Sequence, residues 1–245
     1  MQTLGIDIGG SGIKGAPVDI DRGQLGAERY RITTPEPSTP QAVAEVIKQI
    51  KEHFNWQGLI GCGYPGVVRN GKTYTASNMD KSWLEADATM IINTILNDKL
   101  SKIKLLNDAD AAGIAEMRYG AGKDNKGVVL IITVGTGIGT SLFSDGHLVP
   151  NLEIGHLEIK GEDSEKKLSD ARRKREELSW KQWTKLFNEY IAYIEKYFWP
   201  DLIILGGGGS KKFDQFQQYL VSKTVIVPAV LRNDAGIIGA AAALH

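Results

Sequence analysis

Two aspartates lie where a strand gives way to a helix, a position from which a carboxylate can do chemistry. They belong to the stretch Asn107-Asp108-Ala109-Asp110, which follows an apolar segment and precedes an alanine-rich one. Apolar residues over 101–106 predict a short buried strand, and the alanines after it predict the start of a helix. Asp108 or Asp110 can cap this helix by accepting hydrogen bonds from its first backbone N–H groups. The same corner also holds a carboxylate rigidly towards a cleft, so this window by itself leaves capping and catalysis open.

A glycine-rich turn near the N-terminus has the composition of a phosphate site. Apolar residues predict a strand over 2–8 and a second strand over 13–20. The residues of this turn that can serve phosphate are Asp7, Gly9, Gly10, Ser11, Gly12 and Lys14. Glycines let backbone N–H groups approach phosphate oxygens, Ser11 and Lys14 add donors, and Asp7 suits a hydrated Mg²⁺ beside them. Because a strand follows, the pattern is neither a Rossmann nor a Walker motif, and a glycine hairpin without a ligand is the alternative.

The same pattern returns in the second half of the chain. Gly135, Thr136 and Gly137 follow the apolar segment 127–133, and both turns have the sequence G-[ST]-G-I. This weak repeat predicts two similar lobes, each with a phosphate-binding turn, and a cleft between such lobes suits phosphoryl transfer. A third turn follows a predicted strand over 201–205 and consists of Gly206, Gly207, Gly208 and Gly209. A helix is predicted after it over 211–220, and we expect its N-terminus to face a nucleotide or phosphate.

Polar residues that suit a sugar lie in two further segments. Glu153, His156 and Glu158 come close together beside a glycine, in a chain with four histidines. A metal site is one interpretation, but because no cysteine lies near these residues in the sequence, a set of hydrogen-bonding groups for sugar hydroxyls is favoured. Asn78 and Trp83 belong to the polar segment 75–83, where an amide can bind hydroxyls and an indole ring can cover a sugar face. An ordinary exposed loop is the alternative for this segment.

The composition excludes several classes of protein. The chain has 245 residues, enough for one large core or two lobes, and its 29 basic and 29 acidic residues give a formal net charge of zero. No overall charge attracts nucleic acid or a membrane, so an anionic ligand needs a local patch. Cys62 is the single cysteine, which excludes an internal disulfide and a cysteine zinc cluster. No segment reaches the ~20 apolar residues of a membrane span and no charged leader precedes the first strand, so we expect a soluble, cytoplasmic protein.

Several helices and strands are expected to position these groups. A third strand is predicted over 25–33, followed by the proline-rich loop 34–40 and by a helix over 41–53 that Thr39 caps. Further helices are predicted over 84–100, 180–199 and 237–244, the last capped by residues 233–236. The aromatic face of the helix over 180–199 belongs either to the core or to a subunit interface.

Basic residues are concentrated in the segment 161–178. These residues, which we call the basic cluster, are Lys166, Lys167, Arg172, Arg173, Lys174 and Arg175. Acidic residues lie among them, so a solvated helix face is the favoured interpretation and a track for a polymeric phosphate is the alternative. Other cations that could serve such a track are Lys14, Arg29, Arg31, Lys81, Lys123 and Lys126.

Five features stand in one order along the chain: DIGGSGIKG, NDADAAG, TVGTGIGTS, EIGH, and LGGGGS followed by NDAGIIGAAA. Together they resemble the ROK family of sugar kinases, over essentially the whole chain. The resemblance implies a two-lobed actin-like ATPase (ribonuclease H-like) α/β fold, with mixed sheets flanked by helices and a cleft between the lobes. We expect residues 1–107 to form the N-terminal lobe and residues 108–245 the C-terminal lobe, with the closing helix packed back on the N-terminal lobe.

The resemblance also implies roles for individual residues. Asp108 matches the general base that takes the proton of the sugar 6-hydroxyl. The residues that match glucose contacts are Asn78, Asn107, Asp108, Glu153, His156 and, less closely, Glu158. Asp7 with the glycine turn and Lys14 matches the first phosphate motif, residues 135–137 match the second, and residues 206–209 match the turn beside the adenosine site. Many bacterial members carry a cysteine-rich zinc motif after the EIGH histidine, and since no cysteine follows Leu157 we expect no structural zinc.

The proline loop TTPEPSTP, the segment ASNMDKSW and the short length resemble the branch of this family that uses polyphosphate as phosphoryl donor. That resemblance implies transfer of a terminal phosphoryl group from polyphosphate, with ATP as a further donor, to the 6-hydroxyl of glucose in a Mg²⁺-dependent homodimer. A strictly ATP-dependent glucokinase or hexokinase of the same family is the alternative. A non-catalytic sugar-binding regulator is the alternative from another class, although the family's transcription factors carry an N-terminal DNA-binding segment for which the first strand, beginning at Gln2, leaves no room.

Overall fold

The structure is a computed structural model that describes residues 1–98 and 100–245. The chain divides into two compact units, the first comprising Met1–Ala115 with Asp234–His245 and the second comprising Glu116–Asn233. The sequence analysis placed a division after residue 107, whereas a helix begins there and runs through the boundary between Ala115 and Glu116. Each unit contains its own sheet and its own hydrophobic cluster.

The first unit is built on a mixed sheet with the strand order β3-β2-β1-β5-β8, and β4 also pairs with β2. Its elements in chain order are β1 (Gln2–Gly9), β2 (Gly12–Asp19), β3 (Gln24–Leu25), β4 (Tyr30–Ile32), α1 (Pro40–His53), β5 (Leu59–Tyr64), β6 (Val68–Arg69), β7 (Lys72–Thr73), α2 (Ala88–Leu96), β8 (Lys102–Asn107) and α3 (Asp108–Tyr119). The strands β1, β5 and β8 run parallel, while β1 and β2 form an antiparallel hairpin. Because parallel strands end at the same edge of a sheet, the turns after β1, β5 and β8 come together at one edge.

The closing helix α9 (Ala235–Ala242) belongs to the first unit and packs on β1 and β5. Glycines allow this close approach, because a Cβ added at Gly5 would collide with the carbonyl oxygen of Ile237 and one added at Gly61 with that of Ala240. At Gly239 an added Cβ would collide with the carbonyl oxygen of Ala111 in α3. The small residues of the closing helix therefore bring backbone against backbone, as the alanine-rich sequence predicted.

The first unit follows the predicted elements with two corrections. The third strand, predicted over 25–33, is broken into β3 and β4, which pair with different parts of β2. Gly26 lies at the break, where its N–H donates to the carbonyl of Pro17, and Pro17 has no N–H to continue the ladder. The helix predicted over 84–100 is the shorter α2, because Asp87 caps its start and Asn97 ends it in the left-handed conformation. Residue 99 of that prediction lies outside the described residues.

Two predicted helix caps have different outcomes. The Thr39 hydroxyl accepts a hydrogen bond from the Ala42 N–H, and Pro40 occupies the first position of α1, as the sequence predicted. Asp234 precedes α9 but makes no capping hydrogen bond with its side chain. Its carboxylate instead accepts a hydrogen bond from Nη1 of Arg29 at 2.8 Å, so the predicted cap is wrong and an ion pair takes its place.

The second unit contains a mixed sheet with the strand order β11-β10-β9-β14-β15. Its elements are β9 (Val128–Val134), β10 (Ile138–Ser144), β11 (His147–Val149), β12 (Glu158–Ile159), β13 (Glu162–Asp163), α4 (Ser164–Leu168), α5 (Asp170–Arg175), α6 (Trp180–Phe198), β14 (Leu202–Gly206), α7 (Gly207–Ser210), α8 (Phe213–Phe216) and β15 (Val225–Pro228). The strands β9 and β10 form the predicted second glycine hairpin, and β14 runs parallel to β9. The turns after β9 and β14 therefore lie at the same edge of this sheet.

The aromatic helix α6 contributes its apolar face to the core of the second unit. Trp183, Phe187 and Tyr190 are buried there. The helix predicted over 211–220 is replaced by α7 and α8, because Phe213 and Phe216 turn inward and Phe216 packs against the Trp183 ring. The predicted continuous helix over 211–220 is therefore wrong. The expectation that a helix N-terminus here faces a nucleotide or phosphate stays a prediction. None of the helices in the described part of the chain has the length and apolar character that a membrane span needs.

Candidate active site

The first glycine turn is a tight hairpin between β1 and β2. Gly9 lies opposite Gly12, so Gly10 and Ser11 form the two-residue turn between them. The Thr34 hydroxyl donates a hydrogen bond to the Gly9 carbonyl at 2.5 Å, which ties the proline loop to this hairpin. A Cβ added at Gly10 would lie 3.3 Å from the carbonyl oxygen of Asn78. The first unit thus brings the predicted phosphate turn and the predicted sugar residue Asn78 together.

Asp7 and Lys14 lie directly opposite each other on β1 and β2. The Asp7 carboxylate and the Lys14 ammonium form an ion pair with 3.3 Å between Oδ2 and Nζ. Both side chains are partly exposed, 21% for Asp7 and 29% for Lys14, so solvent or a ligand can reach them. A Cβ added at Gly236, in the first turn of α9, would lie 3.1 Å from Cγ of Asp7. The carboxylate therefore faces the N-terminal end of the closing helix, where negative charge is favoured.

Asn107 caps the helix that carries Asp108. Its Oδ1 accepts a hydrogen bond from the Asp110 N–H at 2.9 Å, and its Nδ2 donates to the Gly66 carbonyl at 3.1 Å. Asn107 thus serves the first turn of the helix in addition to the aspartate that the sequence predicted there. Asp108 is half-buried, and its Oδ1 accepts a hydrogen bond from the adjacent Ala109 N–H at 2.8 Å.

Gly63 connects Asp108 with Asp7. It lies beside Asp7 in the parallel ladder of β1 and β5, so a side chain at Gly63 would share a face with Asp7. A Cβ added at Gly63 would lie 3.4 Å from Cα and 3.6 Å from Cβ of Asp108. Asp7, Lys14 and Asp108 therefore occupy neighbouring positions on one face of the first sheet.

The segment that contains Asn78 is held by the proline loop. The Asp80 N–H donates to the Ser38 hydroxyl at 3.0 Å, and Nε1 of Trp83 donates to the Ser38 carbonyl at 2.7 Å. Asn78 is exposed, whereas Trp83 is fully buried with its ring 4.6 Å from the ring of Tyr64. The proposed sugar-stacking role of Trp83 is therefore wrong, since its ring supports the segment from inside the core.

The second glycine turn, in the other unit, is held by residues that the sequence analysis did not single out. Oε2 of Glu165 in α4 accepts a hydrogen bond from the Ile138 N–H at 2.9 Å and lies against Gly137. The Asp170 N–H, at the start of α5, donates to the Gly135 carbonyl at 2.9 Å. The exposed Thr136 lies at the tip of this turn. Glu165 and Asp170 lie far from this turn in the sequence, so only the fold brings α4 and α5 to the hairpin.

The third glycine turn adjoins the second within the same unit. Gly206 pairs with Thr133, and Gly207 forms a bridge with Val134 immediately before Gly135. Gly207 has a φ of 72°, and a Cβ there would lie 2.5 Å from the Val134 carbonyl oxygen. Only glycine fits this approach. Residues 135–137 and 206–209 therefore lie beside each other in the second unit.

His156 is oriented by an aspartate. Its Nδ1 lies 3.0 Å from Oδ2 of Asp163, whose Oδ1 accepts hydrogen bonds from the first N–H groups of α4. Burial disfavours the charged imidazole, but the hydrogen bond that Asp163 accepts and the charges of Glu165, Asp163 and Glu153 outweigh it and raise the pKa of His156. Burial likewise opposes ionisation of Asp163, yet the hydrogen bond with His156 and the helix N–H groups lower its pKa. This geometry leaves Nε2 of His156 for a ligand.

The neighbours of His156 carry further oxygen acceptors. Glu153 and Glu158 are exposed, on either side of a 3-10 turn over Ile154–His156. Gly155 lies in this turn, where a Cβ would collide with the Ile138 carbonyl oxygen after the second hairpin. The EIGH segment is thus packed against the second phosphate turn within its own unit.

A metal ion needs oxygen, nitrogen or sulfur ligands arranged around one point. Among residues 1–98 and 100–245, no group of three His, Cys, Asp or Glu side chains is arranged to hold a metal ion. Asp7 offers one carboxylate at the phosphate turn. This arrangement fits Mg²⁺, which keeps several waters and binds through one or two carboxylates and substrate phosphates.

The basic cluster is largely neutralised by nearby acids. Its ion pairs join Lys167 to Glu162 and Glu189, Arg172 and Arg175 to Glu176, and Arg173 and Lys174 to Asp170. Asp170 also has a lowered pKa, because the hydrogen bonds from Lys174 and Arg173 outweigh its burial. These pairs favour the interpretation of the cluster as a solvated helix face.

Comparison with known proteins connects these features to a family. A model of the ROK family matches residues 3–168. The polyphosphate glucokinase of Mycobacterium tuberculosis is 46% identical over 240 residues, which cover 98% of this chain and 90% of that protein. The crystal structure of inorganic polyphosphate/ATP-glucomannokinase from Arthrobacter sp. strain KM superimposes with a TM-score of 0.93 at 46% identity, covering 100% of this chain and 99% of the other.

A more distant solved structure shares the fold. The ROK family glucokinase of Streptomyces griseus, in complex with glucose and AMPPNP, is 21% identical with a TM-score of 0.81, over 98% of both chains. The α/β architecture expected from the sequence, the two-domain actin-like ATPase fold of ROK sugar kinases, is confirmed by these neighbours. With the family model covering most of the chain and a relative this similar along its whole length, the chain belongs to the ROK family.

Proposed function

We propose that this protein transfers the terminal phosphoryl group of inorganic polyphosphate to the 6-hydroxyl of glucose, giving glucose 6-phosphate, with ATP as a further donor. The observation that carries the proposal is the 46% identity to a polyphosphate glucokinase along 98% of this chain. The arrangement of Asp108 beside Asp7 and Lys14 supports it, since a carboxylate base and a charged phosphate turn share one face of the first sheet.

Asp108 is the proposed general base. It takes the proton of the glucose 6-hydroxyl as the new bond from O6 to phosphorus forms and the bond to the bridging oxygen of the donor breaks. The shortened polyphosphate leaves with the bridging oxygen. Phosphoryl transfer depends mainly on positioning and charge neutralisation, to which the backbone N–H groups of the glycine turns and the Lys14 ammonium contribute. A positioned general base typically contributes about 10²–10⁴-fold to the rate.

The remaining predicted residues are assigned to the two substrates. The proposed glucose ligands are Asn78, Asn107 and Asp108 in the first unit and Glu153, His156 and Glu158 in the second. In this assignment Asp163 keeps Nε2 of His156 directed at a sugar hydroxyl. The glycine turns of both units bind phosphate oxygens of the donor.

Asp7 is the proposed protein ligand of Mg²⁺, directly or through a bound water. When bound with the donor, this ion offsets the negative charge of the phosphate oxygens. Lys14 holds Asp7 towards the phosphate turn through their ion pair.

We extend the proposal to a cytoplasmic homodimer. A charged sugar phosphate does not cross membranes, so we expect the product to be made where it is consumed. The aromatic face of α6 is buried in the second unit, which leaves the end of the helix, where Trp199 is 78% exposed, as the part that could meet another subunit. Light scattering of the purified protein measures the oligomeric state directly.

One assay distinguishes the proposal from its alternatives. The protein is incubated with glucose, Mg²⁺ and either long-chain polyphosphate or ATP, and glucose 6-phosphate is measured. Product from polyphosphate is the expected result. Product from ATP alone would identify a strictly ATP-dependent glucokinase, and binding of glucose without product from either donor would identify a sugar-binding regulator.

A further inference from the structure

A row of charged side chains crosses the first sheet beside the glycine turn. The strand register places Asp7 opposite Lys14, and Lys14 opposite Arg31 on β4. Directly opposite residues on neighbouring antiparallel strands point to the same face. Arg31 therefore extends the Asp7–Lys14 pair by one strand, although 17 positions separate it from Lys14 in the sequence.

Arg31 is held against the phosphate turn. Its Nη2 donates a hydrogen bond to the Ser11 carbonyl at 2.8 Å. A Cβ added at Gly12 would lie 2.5 Å from both Nε and Nη2 of Arg31, so the guanidinium occupies space that only a glycine leaves open. The side chain is exposed, yet its charged end is fixed at the turn where the backbone N–H groups of a phosphate site are expected.

The basic residues near Arg31 each lie close to an acidic side chain. Lys14 is paired with Asp7, Arg29 with Asp234, and the Arg22 side chain lies 3.9 Å from Asp19. Within the described ranges 1–98 and 100–245, Arg31 takes part in no ion pair. A fixed, exposed guanidinium without an acidic partner favours binding of an anion.

We propose that Arg31 binds the phosphoryl donor at the phosphate next to the one that is transferred. The inference rests on the proposed function and adds to it a donor-binding residue outside the glycine motif. The planar guanidinium can donate further hydrogen bonds to phosphate oxygens, because the bond from Nη2 to the Ser11 carbonyl uses only one of its N–H groups. Polyphosphate and the triphosphate of ATP share this chemistry, so both donors are tested.

The kinetic test compares Arg31→Ala with Arg22→Ala. Arg22 follows the other end of β2, beyond Asp19, and serves as the matched exposed arginine. Loss of charge-assisted hydrogen bonds should raise the KM for the donor about 10- to 100-fold in Arg31→Ala. The KM of Arg31→Ala for glucose, and the KM values of Arg22→Ala for the donor and for glucose, should stay within about twofold of the wild-type values. Arg31→Lys keeps the charge without the planar group and should recover part of the loss.

The two donors refine the result. A loss with both polyphosphate and ATP supports a subsite for the phosphoanhydride that they share. A loss with polyphosphate alone supports a subsite that the polymer occupies and ATP does not. An unchanged KM for both donors in Arg31→Ala overturns the inference.

A binding measurement keeps this inference separable from the proposed function. Sodium tripolyphosphate is titrated calorimetrically into the wild-type protein and into Arg31→Ala without glucose, so no turnover is required. If the wild type forms no glucose 6-phosphate with either donor, the proposed function fails, and the titration still decides whether Arg31 binds polyphosphate. Equal affinities of the two proteins, or no binding by the wild type, contradict the inference.

A second substitution, Arg31→Gln, separates a loss of donor binding from a loss of stability. Arg31→Gln keeps a polar side chain that can donate hydrogen bonds but carries no charge. If Arg31→Ala melts at a lower temperature than Arg22→Ala, both measurements are repeated with Arg31→Gln, and its melting temperature is compared with that of Arg22→Ala. The inference then requires the same loss of donor binding in Arg31→Gln.

Discussion

The Asp7 carboxylate and the Lys14 ammonium form an ion pair across β1 and β2, with 3.3 Å between Oδ2 and Nζ. Because the two residues are opposite each other in the ladder, the pair needs no long-range contact to form. It keeps both charges beside the glycine turn at modest cost, since each side chain still reaches solvent. In the proposed function, Lys14 binds a phosphate of the donor and Asp7 binds Mg²⁺.

Replacement of the proposed base tests the chemical step. Asp108→Asn should lower kcat by at least about 10²- to 10⁴-fold, because the amide cannot accept the proton of the glucose hydroxyl. The KM for glucose should change far less, since an amide still forms hydrogen bonds with hydroxyls. Initial rates of glucose 6-phosphate formation with polyphosphate measure both effects.

The matched control is Asp110→Asn, two residues along the same helix. Asp110 is buried, and this change keeps its shape, so we expect a loss in kcat of less than about tenfold. Near-normal turnover in Asp108→Asn, with circular dichroism unchanged, would refute the assignment of the base.

The pair of His156 and Asp163 predicts a shift in a histidine titration. Asp163→Asn removes the carboxylate that helps to raise the pKa of His156, so that pKa should fall. Nuclear magnetic resonance of the ring protons measures the shift. Glu162→Gln is the control, because Glu162 precedes Asp163 and, unlike Asp163, is not among the groups that raise the pKa of His156. An unmoved His156 titration in Asp163→Asn contradicts the geometry.

The pair of His156 and Asp163 also makes the free energy of unfolding depend on pH. Because the pKa of His156 is raised in the folded protein, protonated His156 stabilises the fold. This stabilisation is complete below the ordinary histidine pKa of about 6.5 and is lost as the pH rises through the raised pKa. Because the pKa of Asp163 is lowered in the folded protein, ionised Asp163 stabilises the fold. This stabilisation is present above the ordinary aspartate pKa of about 3.9 and is lost as the pH falls through the lowered pKa. The difference in unfolding free energy between the wild type and Asp163→Asn should therefore be largest between about pH 4 and 6.5. Urea unfolding at several pH values tests this, and a difference that grows above neutral pH would be inconsistent with it.

The close packing of α9 predicts that one added methyl group destabilises the protein. Gly239→Ala places a Cβ against the Ala111 carbonyl oxygen, and backbone atoms cannot move aside as a flexible side chain can. Overpacking of this kind costs about 1–3 kcal/mol or more, so thermal unfolding should begin several degrees lower. Gly63→Ala is the control in the same unit, since its Cβ would meet Asp108 at an ordinary contact distance of 3.4 Å. Equal melting temperatures of the two variants would show that α9 is not packed as described.

The two donors should respond differently to salt. Polyphosphate carries charge along its whole length, so its attraction to exposed cations is screened as ionic strength rises, whereas ATP presents only a short triphosphate. The rate with long-chain polyphosphate at low concentration should fall more steeply between low salt and about 0.5 M NaCl than the rate with ATP. Parallel salt curves for the two donors would argue against an extended track of cations.

Local chemistry allowed much of this protein to be predicted from its sequence. The glycine hairpins, the Thr39 cap and the corner that carries Asp108 depend on residues within a few positions of each other, so their patterns identify them. The same local pattern was ambiguous at the corner itself, where Asp108 and Asp110 could serve as caps or act in catalysis. Only the coordinates show that Asn107 also accepts a hydrogen bond from the first turn of the helix.

Tertiary structure decided the relationships between distant residues. The ring of Trp83 suits the face of a sugar, yet the core around Tyr64 buries it, and no local sequence pattern indicates that burial. Asp163 meets His156, Glu165 meets Ile138, and Arg31 meets Ser11 because strand register and chain reversals bring them together. Sequence by itself thus predicted which groups bind phosphate and sugar, and it determined the local turns and strands that carry them. The fold determined which of them are held in place, because register and burial depend on the whole sheet rather than on neighbours in the chain.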